Sequence, residues 1–426
     1  LCLPSVSINR FCCEISCLSD MAALEVKNSD RDKFDAGDGG DDDPLYPQKI
    51  KVFEDWLLRH GGRFPKLTMQ KYDTEVRGVH AIEEIDEEEV IVEVPLSCII
   101  TVEMGKATDV GRAVLAADLE MDAPKHVFLM LFMLVDRRNP KSHFKPYYDI
   151  LPPTLSNMPI FWNEEELALL QGSYLLEQIA ERNAAIETDY RAICDLFPAF
   201  SEVSSLDDFK WARMCVCSRN FGIVVDGLRT SAMVPYADML NHYRPRETKW
   251  AYENSRRAFT ITSLQPIGSG AQVYDSYGQK CNHRFLLNYG FAIENNREAD
   301  GFCPNEVAFK FSLDPTKDEL HDSKLALWLR DGNATKVIRL SVSDNDNTAF
   351  ALSCLRVLCC NREEFLLLNA GGAQGGRFPP HTVKDVLFPL SLRNERACME
   401  VLLEMVEAKL ALYPTTLAQD RAQLSG

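Results

Sequence analysis

What the chain lacks narrows its function before anything present does. No predicted strand runs into a GxGxxG turn and no Walker loop occurs, so the two common phosphate-cradling fingerprints are absent. Gly268 and Gly270 form a lone GxG, which is ordinary turn chemistry. The HGG at residues 60–62 has no accompanying GxSxG elbow, and it reads as a helix stop rather than an oxyanion loop. Past residue 20, only Cys215/Cys217 and Cys359/Cys360 lie close together, and neither pair has zinc-knuckle spacing. No metal is therefore expected, and free thiols in a reducing compartment are the simple reading. Cys215 or Cys217 with His242 lacks the third group that an activated thiol needs. The longest strongly apolar run, VFLMLFMLV at 127–135, is nine residues, against about 20 for a membrane span. Basic residues are outnumbered 46 to 63, giving a net charge of −17. A nucleic-acid surface would need the opposite sign, so basic tails or neutral proteins are the expected partners.

What is present describes a globular chain. Its 46% hydrophobic content over 426 residues is enough for two or three domains with buried cores. Met21 is the first plausible initiator. Residues 1–20, with Cys2, Cys12, Cys13 and Cys17, read as a translated upstream segment, lacking the basic start and apolar core of a signal peptide. Residues 1–47 form an acidic leader, expected to be disordered, ending in DAGDGGDDDP. The segment after Met21 is unlike a transit peptide, so a cytoplasmic or nuclear location is expected over a chloroplast one.

Order is expected from about residue 48. Ile50, Phe53, Trp56 and Leu57 fall at helical spacing and Gly61–Gly62 end that helix. RGVHAIEEIDEEEVIVEVPLSCIIT predicts two or three strands with EIDEEE as a turn. Residues 102–210 read as helical, with an apolar stripe of Phe128, Leu131, Phe132 and Val135. Strands and turns return from 211 to 292, and the remainder reads as helical. The expected class is α+β, with a helical insertion and an all-α C-terminal domain.

Three short polar segments resist a purely structural reading. SRNFG ends a helix that starts near Asp208. MVPYADMLNH places Asp238, Asn241 and His242 within five positions of an apolar run. VYDSYG sets Tyr274 and Tyr277 three apart beside a glycine. Buried polar side chains cost free energy unless bonded, so together these segments predict the walls of one polar-lined pocket.

Arg219, DMLNH, VYDSYG and NYGF (Asn288 to Phe291), in that order, resemble the SET domain of protein methyltransferases. More narrowly they resemble the branch typified by the Rubisco large-subunit lysine methyltransferase and the actin-histidine methyltransferase. TEVRGVHAIEEI is similar to that branch's N-terminal SET motif, and LYPTTLAQDRAQL to its C-terminal end. The resemblance covers residues 48–426. It implies a SET core at 48–300 with small sheets and a pseudoknot, interrupted by helices at about 102–210. A helical substrate-binding domain would follow at 301–426.

The resemblance also implies roles. S-adenosylmethionine (SAM) would be held by Asn241, His242, Arg219, Glu75 and the backbone at Arg77 and Gly78. Tyr277 would stand at the reaction centre. Ser218, Phe221, Asp238, Tyr274 and Tyr289 would line the substrate channel of a monomeric enzyme acting on a protein, with no post-SET zinc. Histidine-methylating members carry Asn two positions after the SET arginine and Trp just before the motif's aspartate. Phe221 and Ala237 stand there in this chain, so lysine is the expected acceptor. Its free pKa of about 10.4 must then fall, which an apolar channel beside a sulfonium favours. The alternatives are a protein-histidine methyltransferase and a non-catalytic binding module. The chain departs from the pattern at Val76, where a glycine is usual, and at Asn220, where a small residue is commoner. The basic Arg244, Arg246 and Lys249 read as a solvated loop.

Overall fold

A computed structural model describes residues 45–71, 77–316, 318–343, 346–371 and 379–424. The acidic leader up to residue 44, with Glu75 and Val76, lies outside the described residues. Helix α1 (Tyr46–Arg59) buries Ile50, Phe53, Trp56 and Leu57 on one face, as the spacing predicts, and Gly61 follows at φ 94°. The predicted strand region resolves into β2 (Arg77–Ala81), β3 (Val90–Pro95) and β4 (Ile100–Thr101), preceded by β1 (Leu67–Lys71).

The insertion is helical. In α2 (Pro124–Asp136) the buried face is wider than the expected stripe. Val127 to Leu131, Met133 and Leu134 are enclosed, whereas Val135 is exposed. The helix is covered on several sides, including by the short helix Val102–Lys106. Gly105 makes that approach possible, because a Cβ there would lie 1.8 Å from the Phe128 carbonyl oxygen. The one-turn α3 (Lys145–Tyr148) and the long α4 (Leu175–Leu196) follow. Helix α5 (Leu206–Arg219) starts at a capping box, Ser205 exchanging bonds with Asp208, and its last residue is Arg219.

The chain then forms β5 (Asn220–Val225), β6 (Leu228–Met233), the two-residue β7 (Asn241–His242), β8 (Thr248–Glu253), β9 (Ala258–Ser263) and β10 (Gln272–Asp275). These make three small sheets, in the orders β1-β2-β10-β7, β3-β9-β8 and β4-β6-β5. In the first, β7 runs parallel to β10 with Asn241 opposite Tyr274 and His242 opposite Asp275. Helix α6 (Asn282–Tyr289) closes this half.

The C-terminal region is not all-α. An antiparallel pair, β11 (Glu306–Phe311) and β12 (Lys336–Ser341), precedes helices α7 (Asp346–Cys359), α8 (Arg362–Asn369) and α9 (Leu392–Leu410). Val307, Phe309 and Phe311 alternate inward and pack with Trp328, Ile338 and Leu340 into a second core. The first core, from Ile50 to Val273, lies under the site.

Candidate functional site

The three polar residues of MVPYADMLNH all find partners, and those partners define a site. Asp238 follows Tyr236, which is enclosed at φ 74° with its ring stacked 4.1 Å from Phe64. The Asp238 side chain is fully enclosed. Its Oδ2 accepts from the Tyr147 hydroxyl at 2.8 Å and from Arg219 Nη1 at 3.4 Å. Arg219 Nη1 also donates to the Asp238 carbonyl at 2.9 Å, so the last residue of α5 is pinned to the segment before β7. Burial raises the Asp238 pKa; Arg219, Tyr147 and Arg77 oppose that.

Asn241 acts as a bolt between strands. Its Nδ2 donates to the Arg77 carbonyl and to Gln272 Oε1, both at 2.8 Å. Both amide hydrogens are thereby used, which leaves Oδ1 as the side-chain atom able to serve a ligand, as an acceptor. His242 Nδ1 accepts from the Tyr277 backbone N–H at 2.9 Å, so the proton of the neutral ring sits on Nε2. The ring lies 5.2 Å from that of Tyr277 and 4.9 Å from Phe285. Burial, then Arg244 and Lys280, push its pKa down to about 3, so the ring is neutral at ordinary pH.

Tyr277 is tied at both ends, since its hydroxyl donates to the Leu240 carbonyl at 2.8 Å. Its ring stacks on Tyr289 at 4.8 Å. Burial raises its pKa, against the nearby Arg219, so the phenol stays protonated. The Tyr289 phenol is pushed up to about 12, by burial first. Lys280 donates to the Tyr277 carbonyl and lies 5.7 Å from the Tyr289 ring centre; burial and then Arg284 lower its pKa. Beside it, Asp275 is pushed up to about 6, by burial first.

Gly290 sets the last wall. It ends α6 at φ 78°, and its N–H closes onto the Leu286 carbonyl. The reversal lays Phe291 against Phe285 at 5.0 Å and within 6.0 Å of His242.

Residues 315–426 match the family described as Rubisco LSMT substrate-binding. Actin-histidine N-methyltransferases of Gallus gallus and Homo sapiens are 27% and 26% identical over 396 residues, 90% of this chain and 64% of their own length. The chain therefore spans less than two thirds of these relatives. Among solved structures, the SET domain of LSMT bound to lysine and AdoHcy aligns with a TM-score of 0.72 at 24% identity. That alignment covers 90% of this chain and 86% of the other. Rubisco LSMT bound to sinefungin and monomethyllysine aligns with a TM-score of 0.71 at 25% identity, covering 89% and 85%. The chain has the SET-domain fold of these structures, followed by a stretch that matches the substrate-binding family.

The SET core gathers some of the expected residues and sets others apart. Around the 238–242 segment, Arg219 is tied to Asp238, Asn241 to Arg77, His242 to Tyr277, and Tyr277 to Tyr289. Asp238 is enclosed rather than open to a channel, so it acts through Arg219 and Tyr147. Arg77 presents its carbonyl to Asn241, while its guanidinium points the other way, to Tyr46, the Ile150 carbonyl and Met239. Gly78 is buried in β2. The Ser218 hydroxyl bonds its own helix at the Met214 carbonyl. The Phe221 ring packs edge-on against Trp250 (5.4 Å) and Phe259 (4.9 Å), and the Tyr274 ring lies tilted against Tyr243 (5.2 Å). Glu75 lies outside the described residues.

Sequence reasoning missed Tyr147, Gln272, Asp275 and Lys280. Asp275 carried a signal: in a period-two strand it shares the inward face of Val273, where an acid calls for explanation.

Proposed function

We propose that the chain transfers a methyl group from S-adenosylmethionine to a side-chain nitrogen of a protein. The observation that carries this reading is the convergence of Arg219, Asn241, His242 and Tyr277 on the 238–242 segment: Arg219 bonds the Asp238 carbonyl, Asn241 the Arg77 carbonyl, and Tyr277 both His242 and the Leu240 carbonyl, all at 2.8–2.9 Å. The residues present fit the cofactor. Arg219 Nε is buried without a partner among the described residues, and a guanidinium there suits a carboxylate. Asn241 Oδ1 suits an ammonium. When bound, SAM supplies an electrophilic methyl group on a cationic sulfur.

The chain's own residues then have to orient and desolvate. Transfer is an in-line displacement, so fixing the incoming nitrogen is the main task of the site. The protonated Tyr277 phenol spends its hydrogen on Leu240 and keeps oxygen lone pairs for an acceptor N–H. Its raised pKa makes it an aligning group rather than a base. The stacked Tyr289 and the half-buried His242 shield one side from water.

Two acceptors are supported by different observations. The relatives at 26–27% identity are named as actin-histidine N-methyltransferases, which favours an imidazole; histidine is already half-neutral near pH 6.5. Phe221 and Ala237 favour lysine, since an aromatic wall without an amide suits an alkyl stem. Calorimetry of the folded chain with SAM, beside Asn241→Ala, tests the cofactor reading; wild-type binding weakened more than tenfold in the variant is expected. Labelled-methyl transfer to protein extracts, with the modified residue mapped by mass spectrometry, then separates the acceptors. Methyl-histidine would remove the lysine reading, and methyl-lysine the histidine one. If Phe221 and Ala237 decide, Phe221→Asn with Ala237→Trp should move the product from lysine toward histidine.

A further inference from the structure

The framing residues of the site come from 77–78 and 219–291, yet two of the bonds beneath them are made by a short stretch of the helical insertion. Tyr147, on the one-turn helix α3, is fully buried with its ring 6.2 Å from Phe53 of α1. Its hydroxyl donates to Asp238 Oδ2 at 2.8 Å, the same oxygen that Arg219 reaches at 3.4 Å. Three residues on, the Ile150 carbonyl accepts from Arg77 Nη1 at 2.9 Å and from the Tyr46 hydroxyl at 3.3 Å. Arg77 in turn offers its own carbonyl to Asn241. The insertion thus reaches the arginine through one side chain and the asparagine through one carbonyl.

An enclosed carboxylate is tolerated only when well bonded. Asp238 Oδ1 has no partner among the described residues, so Oδ2 carries the whole side-chain bonding of that acid. Without the Tyr147 hydroxyl, Asp238 would be left with Arg219 alone and could turn away from it. Helix α3 is too short to fix Tyr147 by itself, so packing against α1 sets the aim of the hydroxyl.

We propose that Tyr147 is a positioning residue, aiming Arg219 through Asp238 at the carboxylate of SAM. The assignment rests on the cofactor reading above. It makes the insertion part of the site's frame and not only a separate lobe.

A pH signature follows. The groups facing Asp238 are Arg219, Tyr147 and Arg77, with Cys215 and Tyr277 also close enough to sense its charge. Burial disfavours the charged carboxylate, and the Tyr147 hydroxyl is among the groups that oppose this. Removing that donor makes Asp238 take up a proton at higher pH than in the wild type. Arg219 then keeps only the backbone carbonyl.

The test is calorimetric titration of the full chain with SAM across pH, for wild type, Tyr147→Phe and Tyr148→Phe. Tyr148 sits next on the same helix and donates to Asp136 Oδ2 at 2.9 Å, away from the site, so it loses a matched hydroxyl–carboxylate bond. Tyr147→Phe should bind SAM about tenfold more weakly, the effect of losing one charge-assisted hydrogen bond. Its binding should also fail at higher pH on the acid side, while Tyr148→Phe matches wild type in both respects. Unchanged affinity and pH dependence in Tyr147→Phe would overturn the proposal, as would equal weakening by both variants. Absence of SAM binding by folded wild type refutes the cofactor reading itself, and is seen before any variant is compared.

Discussion

At the scale of single residues, Tyr277 carries the most weight under the proposed methyl transfer. It is one of the few site residues fixed through both main chain and side chain, by His242 and by the Leu240 carbonyl. Removing its hydroxyl leaves ring packing on Tyr289 intact but frees the Leu240 carbonyl and deletes the oxygen that would align the acceptor. Tyr277→Phe should therefore lower methyl transfer about 100-fold, the usual worth of a positioned polar group in a transition state, while SAM affinity changes less than about threefold. Parallel labelled-methyl assays and calorimetry check this; full transfer by the variant would remove Tyr277 from the chemistry. Arg219, Asn241, His242 and Tyr277 were legible in the sequence because each sits in a short contiguous motif. Tyr147 was not, because its partner Asp238 is 91 positions away and no local pattern marks a buried tyrosine as a hydrogen-bond donor.

Elements show the same division between local and distant causes. The end of α6 was legible as NYGF, and the structure shows why glycine is needed. At φ 78° any side chain is strained by about 1–2 kcal/mol. A Cβ at Gly290 would also lie 2.3 Å from Asn157 Nδ2. Gly290→Ala should cost about 2 kcal/mol or more in denaturant unfolding, and it should weaken SAM binding as Phe291 shifts off His242 and Phe285. A stability change under about 0.5 kcal/mol would mean that the turn relaxes freely. The β11–β12 pair was missed although EVAFKF alternates; in residue type KVIRLS does not, since it buries Lys336 and exposes Val337. A tight turn between strands is the strongest hairpin signal, and here residues 312–335, including a helix at His321–Trp328, separate the two. The three sheets around the site were foreseen as strands but not as pairings. A two-residue strand such as β7 has no period of its own, and only its parallel register with β10 defines it.

For the whole molecule, the two larger cores imply two responses to acid. The second core is tied across α8 and α9 by Glu364, a nearly enclosed carboxylate that receives Arg393, the Ser391 hydroxyl and the Asn361 N–H. Burial alone would raise the pKa of Glu364, but these donors outweigh it and bring it down to about 2. An unfolded glutamate titrates near 4.3, so folding releases a proton between these values. The stabilisation is complete above about pH 4.5 and is lost as pH falls toward 2. Glu364→Gln should therefore destabilise the second core by about 2 kcal/mol at neutral pH, with the gap to wild type closing as pH falls to about 2. Beside the first core the half-buried His242, with its pKa near 3, weakens the fold as pH falls below about 6.5, where the unfolded ring takes up a proton. Hydrogen exchange of α7 and α9 amides, read beside those of β2 and β10 at pH 7 and pH 4, separates the two. Glu364→Gln should speed exchange in α7 and α9 at pH 7 and leave β2 and β10 as in wild type. Equal acceleration in both sets would mean that the two cores unfold as one unit.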